Sequence, residues 1–142
     1  MMVNEETPTE SPSKIPRERH VLLAEDDVEM RSLLVLSFRR GGWKVTEAKD
    51  GEELLVQLNH VIREREKCKF DLVISDIRMP KITATKLLSW IAKVSGLPQF
   101  IFITSFGDRH THEQARKLGV VKVFDKPFEI EDLIAAADAI VS

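Results

Sequence analysis

The chain carries a single cysteine, Cys68, among 142 residues. One thiol forms no internal disulfide and no zinc site by itself, which excludes a secreted domain held together by disulfides. No apolar run approaches the roughly 18 residues that a membrane span needs, and the first twenty residues hold no stretch of the signal-sequence kind. Charge of one sign is not in excess either, since 21 Lys and Arg against 23 Asp and Glu leave a formal −2. Bulk charge therefore gives no ground for nucleic-acid or anionic-membrane binding. A glycine-rich phosphate loop is missing, which counts against nucleotide binding. What remains is a soluble, cytoplasmic chain, 43% hydrophobic and 31% charged, of single-domain size.

Residues 1–19 differ in composition from the rest. Pro8, Pro12 and Pro16 stand among Glu, Thr and Ser with almost nothing apolar, too little to offset the entropy of ordering. The expectation is a disordered leader over 1–19 and one folded domain over 20–142. Within that domain short apolar runs alternate with helical patterns. Strands are expected over 21–24, 43–48, 70–75, 100–103 and 120–124.

Five helices are expected between and after the strands. The first presents Met30, Leu33, Leu34, Ser37 and Phe38, and Gly41-Gly42 stops it; the second presents Leu54, Leu55, Leu58, Val61 and Ile62. The third carries Leu87, Leu88, Ile91 and Val94, the fourth covers 111–118, and the last shows Leu133, Ile134, Ala137 and Ile140. Strict alternation with continuous apolar strands predicts an α/β fold, a doubly wound five-stranded parallel sheet with helices on both faces. Ligands of such sheets bind beyond the carboxyl ends of the strands.

Those ends carry the chemistry. Glu25, Asp26 and Asp27 follow the first strand, Asp76 ends the third, Thr104-Ser105 end the fourth, and Asp125-Lys126 end the fifth. Two carboxylates ~4 Å apart repel by about 4 kcal/mol at an effective dielectric near 20. Protonation, a bound cation or pairing with Lys126 would each relieve this. Oxygen ligands without His or Cys favour magnesium over zinc or copper. Asp76 suits a ligand, a general base or a nucleophile that forms an acyl phosphate. Asp27, just before the first helix, suits an N-cap. His20 is expected to pack, and His110 and His112, two apart, do not share a helical face. Cys68 has no partner to define redox chemistry.

Val-Leu-Leu-Ala-Glu25-Asp26-Asp27, Leu-Val-Ile-Ser-Asp76-Ile-Arg78-Met79-Pro80, Ile-Thr104-Ser105 and Lys126-Pro127-Phe128 together resemble the receiver domains of bacterial two-component response regulators, from about His20 onward. The resemblance implies a flavodoxin-like fold and a phosphoacceptor, Asp76. It implies magnesium held by Asp26, Asp76 and the carbonyl of Arg78, with Glu25 acting through water. Thr104 and Lys126 would contact the phosphoryl group, and Lys126-Pro127 would be cis. The implied donor is a sensor histidine kinase or a histidine phosphotransfer protein, and the implied output is a changed surface for a downstream protein, with the chain a monomer or weak dimer.

Two departures stand out. Thr83-Ala84 replaces the Asp-Gly usual after Met-Pro, which alters the entry to the third helix. Val123 stands where the family has its switch aromatic, so Ser105 and Phe106 are expected to carry more of the response. The leading function is thus a phosphorelay switch, not an enzyme beyond its own phosphorylation and dephosphorylation. A binding module with the same fold but no useful phosphorylation is the alternative. A phosphohydrolase forming an aspartyl phosphate would need a second aspartate two places after Asp76, where Arg78 stands.

Overall fold

A computed structural model describes residues 18–105 and 107–142. The leader expected over 1–19 falls outside these residues up to position 17, as does Phe106. The sheet comprises β1 (Arg19–Ala24), β2 (Trp43–Ala48), β3 (Leu72–Asp76), β4 (Gln99–Thr104) and β5 (Lys122–Asp125), all parallel, in the order β2-β1-β3-β4-β5. The helices are α1 (Val28–Arg40), α2 (Gly51–Gln57), α3 (Asn59–Ile62), α4 (Ala84–Ile91), α5 (Arg109–Lys117) and α6 (Ile130–Ile140).

Strand periodicity divides the core into two layers. Leu22, Val73, Phe100 and Phe102 pack against Leu54 of α2, Leu87 of α4 and Ala115 of α5. Their neighbours Val21, Leu23, Leu72, Ile74, Ile101 and Ile103 pack against Leu34 and Phe38 of α1 and Leu133 and Ala137 of α6. The inner strands are buried on both faces, whereas the edge strand β2 alternates buried Trp43, Val45 and Ala48 with exposed Lys44 and Glu47. The continuous apolar runs and the doubly wound parallel sheet are both found.

Three local expectations need correction. The described residues hold six helices, because the second expected helix divides at Leu58. The Leu58 N–H bonds the Leu54 and Leu55 carbonyls at 3.3 and 3.1 Å, and its ψ of 0° tightens the turn before α3 restarts the helix. On α1 the buried stripe is Leu34, Val35 and Phe38, while Leu33 is exposed. Asp27 occupies the N-cap of α1 with no side-chain capping bond; its N–H donates instead to a Glu25 carboxylate oxygen at 3.1 Å. Thr83, by contrast, caps α4, since its hydroxyl accepts from the Lys86 N–H at 3.2 Å while Ala84 is buried. That is how the helix starts without the Asp-Gly pair.

Candidate functional site

β1 and β3 are neighbours in the sheet, so Glu25 and Asp26 lie beside Asp76. Oxygens from Glu25, Asp26 and Asp76 all lie within 4.8 Å of one another, with Glu25 and Asp76 buried and Asp26 exposed. Lys126 reaches across from the end of β5, donating to Asp76 Oδ2 at 2.7 Å and to Glu25 Oε1 at 3.1 Å. The other Asp76 oxygen, Oδ1, accepts the Arg78 N–H at 3.0 Å. Thr104, buried at the end of β4, offers its carbonyl to the Lys126 N–H at 2.8 Å.

The electrostatics follow from two carboxylates sharing one ammonium. Burial pushes Glu25 up to about 7; the Asp76 charge adds to the rise, and the Asp27 N–H and Lys126 oppose it. Lys126 is held above its ordinary value, because burial pushes it down while its bonds to Asp76 and Glu25 more than offset that. The three acids supply only hard oxygen atoms, the donor set that magnesium takes. The residues therefore fit that ion.

The surroundings hold this geometry in place. Arg31 of α1 donates from Nη1 to the Glu25 carbonyl at 2.7 Å and from Nε to Glu47 at 3.1 Å, which fixes the acid-bearing turn after β1. On the far side of the site the loop after β3 abuts the start of α2. Lys81, at φ 75°, reaches Asp50 at 3.5 Å and Glu52 at 3.0 Å. A Cβ on Gly51 would overlap the Ile82 carbonyl, so glycine is required at that crossing.

Glu25, Asp26, Asp76, Thr104 and Lys126 lie at the expected strand ends, Arg78 lies in the loop after β3, and Val123 lies within β5. Ser105 is exposed, and Phe106 falls outside the described residues. Val123 is half-buried against the α2–α5 layer, whereas Phe124 belongs to the α1/α6 layer beside Phe128. One residue of offset moves a side chain to the opposite face, so Phe124 does not stand in for an aromatic ring at 123. The Lys126-Pro127 bond is cis, as the resemblance implied.

Sequence reasoning missed Arg31 and one further pair. His112 of α5 bonds both oxygens of Asp125, at 2.9 and 3.1 Å, and a Cβ on Gly107 would overlap Asp125. The pair is thirteen positions apart, on a helix and a strand, so no local pattern signals it.

Residues 21–138 match the family described as response regulator receiver domain. The chain belongs to that family. Among curated relatives of this receiver domain, the transcriptional regulatory protein PdtaR of Mycobacterium tuberculosis is 35% identical over 135 residues, covering 94% of this chain and 61% of that protein. The chain thus spans about three-fifths of that relative's length. The probable chemotaxis protein CheY of Rhizobium etli is 34% identical over 123 residues, covering 84% of this chain and 90% of that protein. The fold is similar to that of the Francisella response regulator 1452 receiver domain, with a TM-score of 0.78 at 24% identity, over 87% of this chain and 97% of that one. The receiver domain of HemR from Leptospira biflexa gives a TM-score of 0.75 at 24% identity, over 88% and 95%. Among the described residues, no helix is long and apolar enough to cross a membrane.

Proposed function

We propose that this receiver domain is a phosphorelay switch whose acceptor is Asp76. The observation that carries the reading is the Asp76 carboxylate held 2.7 Å from the Lys126 ammonium beside two further acids. An Asp76 oxygen attacks the phosphorus of a phosphohistidine on a sensor kinase or phosphotransfer protein. The P–N bond breaks, its electron pair stays on the imidazole, and an acyl phosphate forms on Asp76. Glu25, Asp26, Asp76 and the Arg78 carbonyl would hold magnesium, with Glu25 acting through water. The ion would neutralise phosphoryl oxygens that the acids repel. Lys126 exchanges its bond to Asp76 for one to the arriving group, and the Thr104 hydroxyl donates to another phosphoryl oxygen. The new group adds about −1.5 to −2 charge and strong acceptor oxygens, which changes the surface offered to a downstream protein. This reading places the chain in the cytoplasm with its donor, and its only chemistry is its own phosphorylation and dephosphorylation.

Intact mass after treatment with acetyl phosphate and magnesium tests it. One added phosphoryl group is expected, lost in Asp76→Asn and lost in excess chelator. An unmodified parent would leave a binding module with a receiver fold, and a modified Asp76→Asn would move the acceptor elsewhere.

A further inference from the structure

β4, β5 and α5 meet at one point on the rim of the sheet. Thr104, at the end of β4, is in register with Asp125 at the end of β5. Alternation puts Thr104 on the face of Phe102 and Asp125 on the face of Val123, the layer that α5 helps to cover. There His112 of α5 holds the Asp125 carboxylate, with Nε2 2.9 Å from Oδ1 and 3.1 Å from Oδ2. A carboxylate only accepts, so Nε2 carries a proton and donates it.

Gly107 completes the contact. A Cβ there would overlap the Asp125 carboxylate and stand 3.0 Å from His112 Nε2. The Gly107 backbone thus lies against the bonded pair, in space that a side chain would take from it. α5 is tied to the same stretch. Asp108 accepts the Thr111 N–H on its side chain at 2.8 Å and the His112 N–H on its carbonyl at 3.1 Å.

Strand order connects this contact to the acceptor. The sheet runs β3-β4-β5, so Asp76 and Asp125 stand on opposite sides of Thr104. Lys126 bonds Asp76 at 2.7 Å, which is the resting arrangement of the site. A phosphoryl group on Asp76 draws the Thr104 hydroxyl toward β3, and the residues that follow Thr104 go with it, away from β5. The Gly107 contact and the His112–Asp125 bond oppose that movement. A bond made at rest and lost on phosphorylation biases the equilibrium toward rest, and a ligand of the other state binds more weakly by the same factor.

We propose that the His112–Asp125 pair is a clasp that holds the β4–α5 connection at rest and opens when Asp76 is phosphorylated, so that both residues restrain the switch. They are positioning residues that act through Thr104. The inference rests on the phosphorelay reading with Asp76 as acceptor.

Titration of the full chain with beryllium fluoride, a phosphoryl mimic, at saturating magnesium tests it. His112→Ala and Asp125→Ala should each tighten binding about three- to tenfold, the net worth of one hydrogen bond. The double variant should gain no more than either single one, because each removes the same bond. His112→Gln, whose amide N–H takes the place of Nε2, should return binding toward the parent value. Magnesium alone should bind the His112 variants as it binds the parent, whereas a generally loosened site would bind it more weakly. Parent-like or weaker beryllium fluoride binding in His112→Ala would overturn the clasp, as would additive gains in the double variant. A parent that binds no beryllium fluoride and takes no phosphoryl group from acetyl phosphate would instead overturn the phosphorelay reading, and this coupling with it.

Discussion

The Lys126 backbone N–H donates to the Thr104 carbonyl at 2.8 Å. Two side chains that sequence separates by a helix and a strand are thereby mounted on one rung between β4 and β5. The strand pair therefore sets the backbone spacing from which the ammonium and the hydroxyl project.

Removing the ammonium should show how strongly the acids repel. Lys126→Met leaves Glu25 and Asp76 facing each other with no cation between them. Breaking a fully buried pair costs about 3–5 kcal/mol, and the Lys126 side chain is 19% exposed, so a loss of about 2 kcal/mol is expected near neutral pH. Magnesium should then stabilise the variant more than the parent, because binding to the folded state alone raises its stability. Urea titrations with and without magnesium measure both effects. No loss of stability, or an equal magnesium gain in the two proteins, would contradict the expectation.

Val123 stands where the resemblance implies a switch aromatic, so a small response on β5 is expected. A valine rotamer change moves two methyl groups where an aromatic ring would sweep a much larger area. With beryllium fluoride as a phosphoryl mimic, amide exchange should change most in residues 105–111 and little along β5 and α6. Val123→Tyr should enlarge the change on β5. Protection centred on β5 and α6 in the parent, with residues 105–111 silent, is the opposing result.

Gly51 guards the crossing between α2 and the loop after β3. Gly51→Ala forces a methyl group onto the Ile82 carbonyl, an overpacking of backbone that usually costs about 1–3 kcal/mol. Gly42, where a Cβ meets nothing within 4 Å, provides the contrast: its strain comes from a φ of 89° alone. Denaturant midpoints of Gly51→Ala should fall without a change of slope, and an unchanged midpoint would mean that the loop yields freely.

Much of this was legible in the sequence, and the exceptions have physical causes. Strands β1, β3 and β4 are buried on both faces, so their apolar runs admit few other interpretations. Helix α1 offers apolar residues at 33, 34, 35 and 36, and only contact with the sheet selects Leu34 and Val35 over Leu33 and Leu36. The positions of the acids and Lys126 were legible because strand ends are places the topology defines in advance. Arg31 and the His112–Asp125 pair were not, since each joins elements through side-chain reach that no spacing rule encodes.

His20 makes stability fall on the acid side. Burial lowers its pKa, and the charges of Lys44 and Lys69 lower it further, while Asp71 and a backbone bond oppose them. The ring lies edge-on to Phe70 at 4.8 Å and 2.7 Å from the Thr46 hydroxyl. Above the unfolded value of about 6.5 both states are neutral and the contribution is complete. As pH drops below that value the unfolded chain binds the proton first, and stability is lost until the folded pKa is passed. The slope from one proton is at most about 1.4 kcal/mol per pH unit. Denaturation of the parent and His20→Gln between pH 7.5 and 5 should show the parent falling more steeply; parallel curves would remove His20 from the pH response.

The two tryptophans sit in contrasting places, and that makes the molecule its own optical probe. Trp43 is 2% exposed, lies under the Arg19 guanidinium at 4.6 Å and donates its indole N–H to Asp138 of α6 at 3.0 Å, whereas Trp90 is 58% exposed on α4. Iodide therefore quenches Trp90 and spares Trp43. The emission that survives the quencher comes from the contact between the first two strands and the last helix, so its intensity and wavelength follow α6 with no label attached.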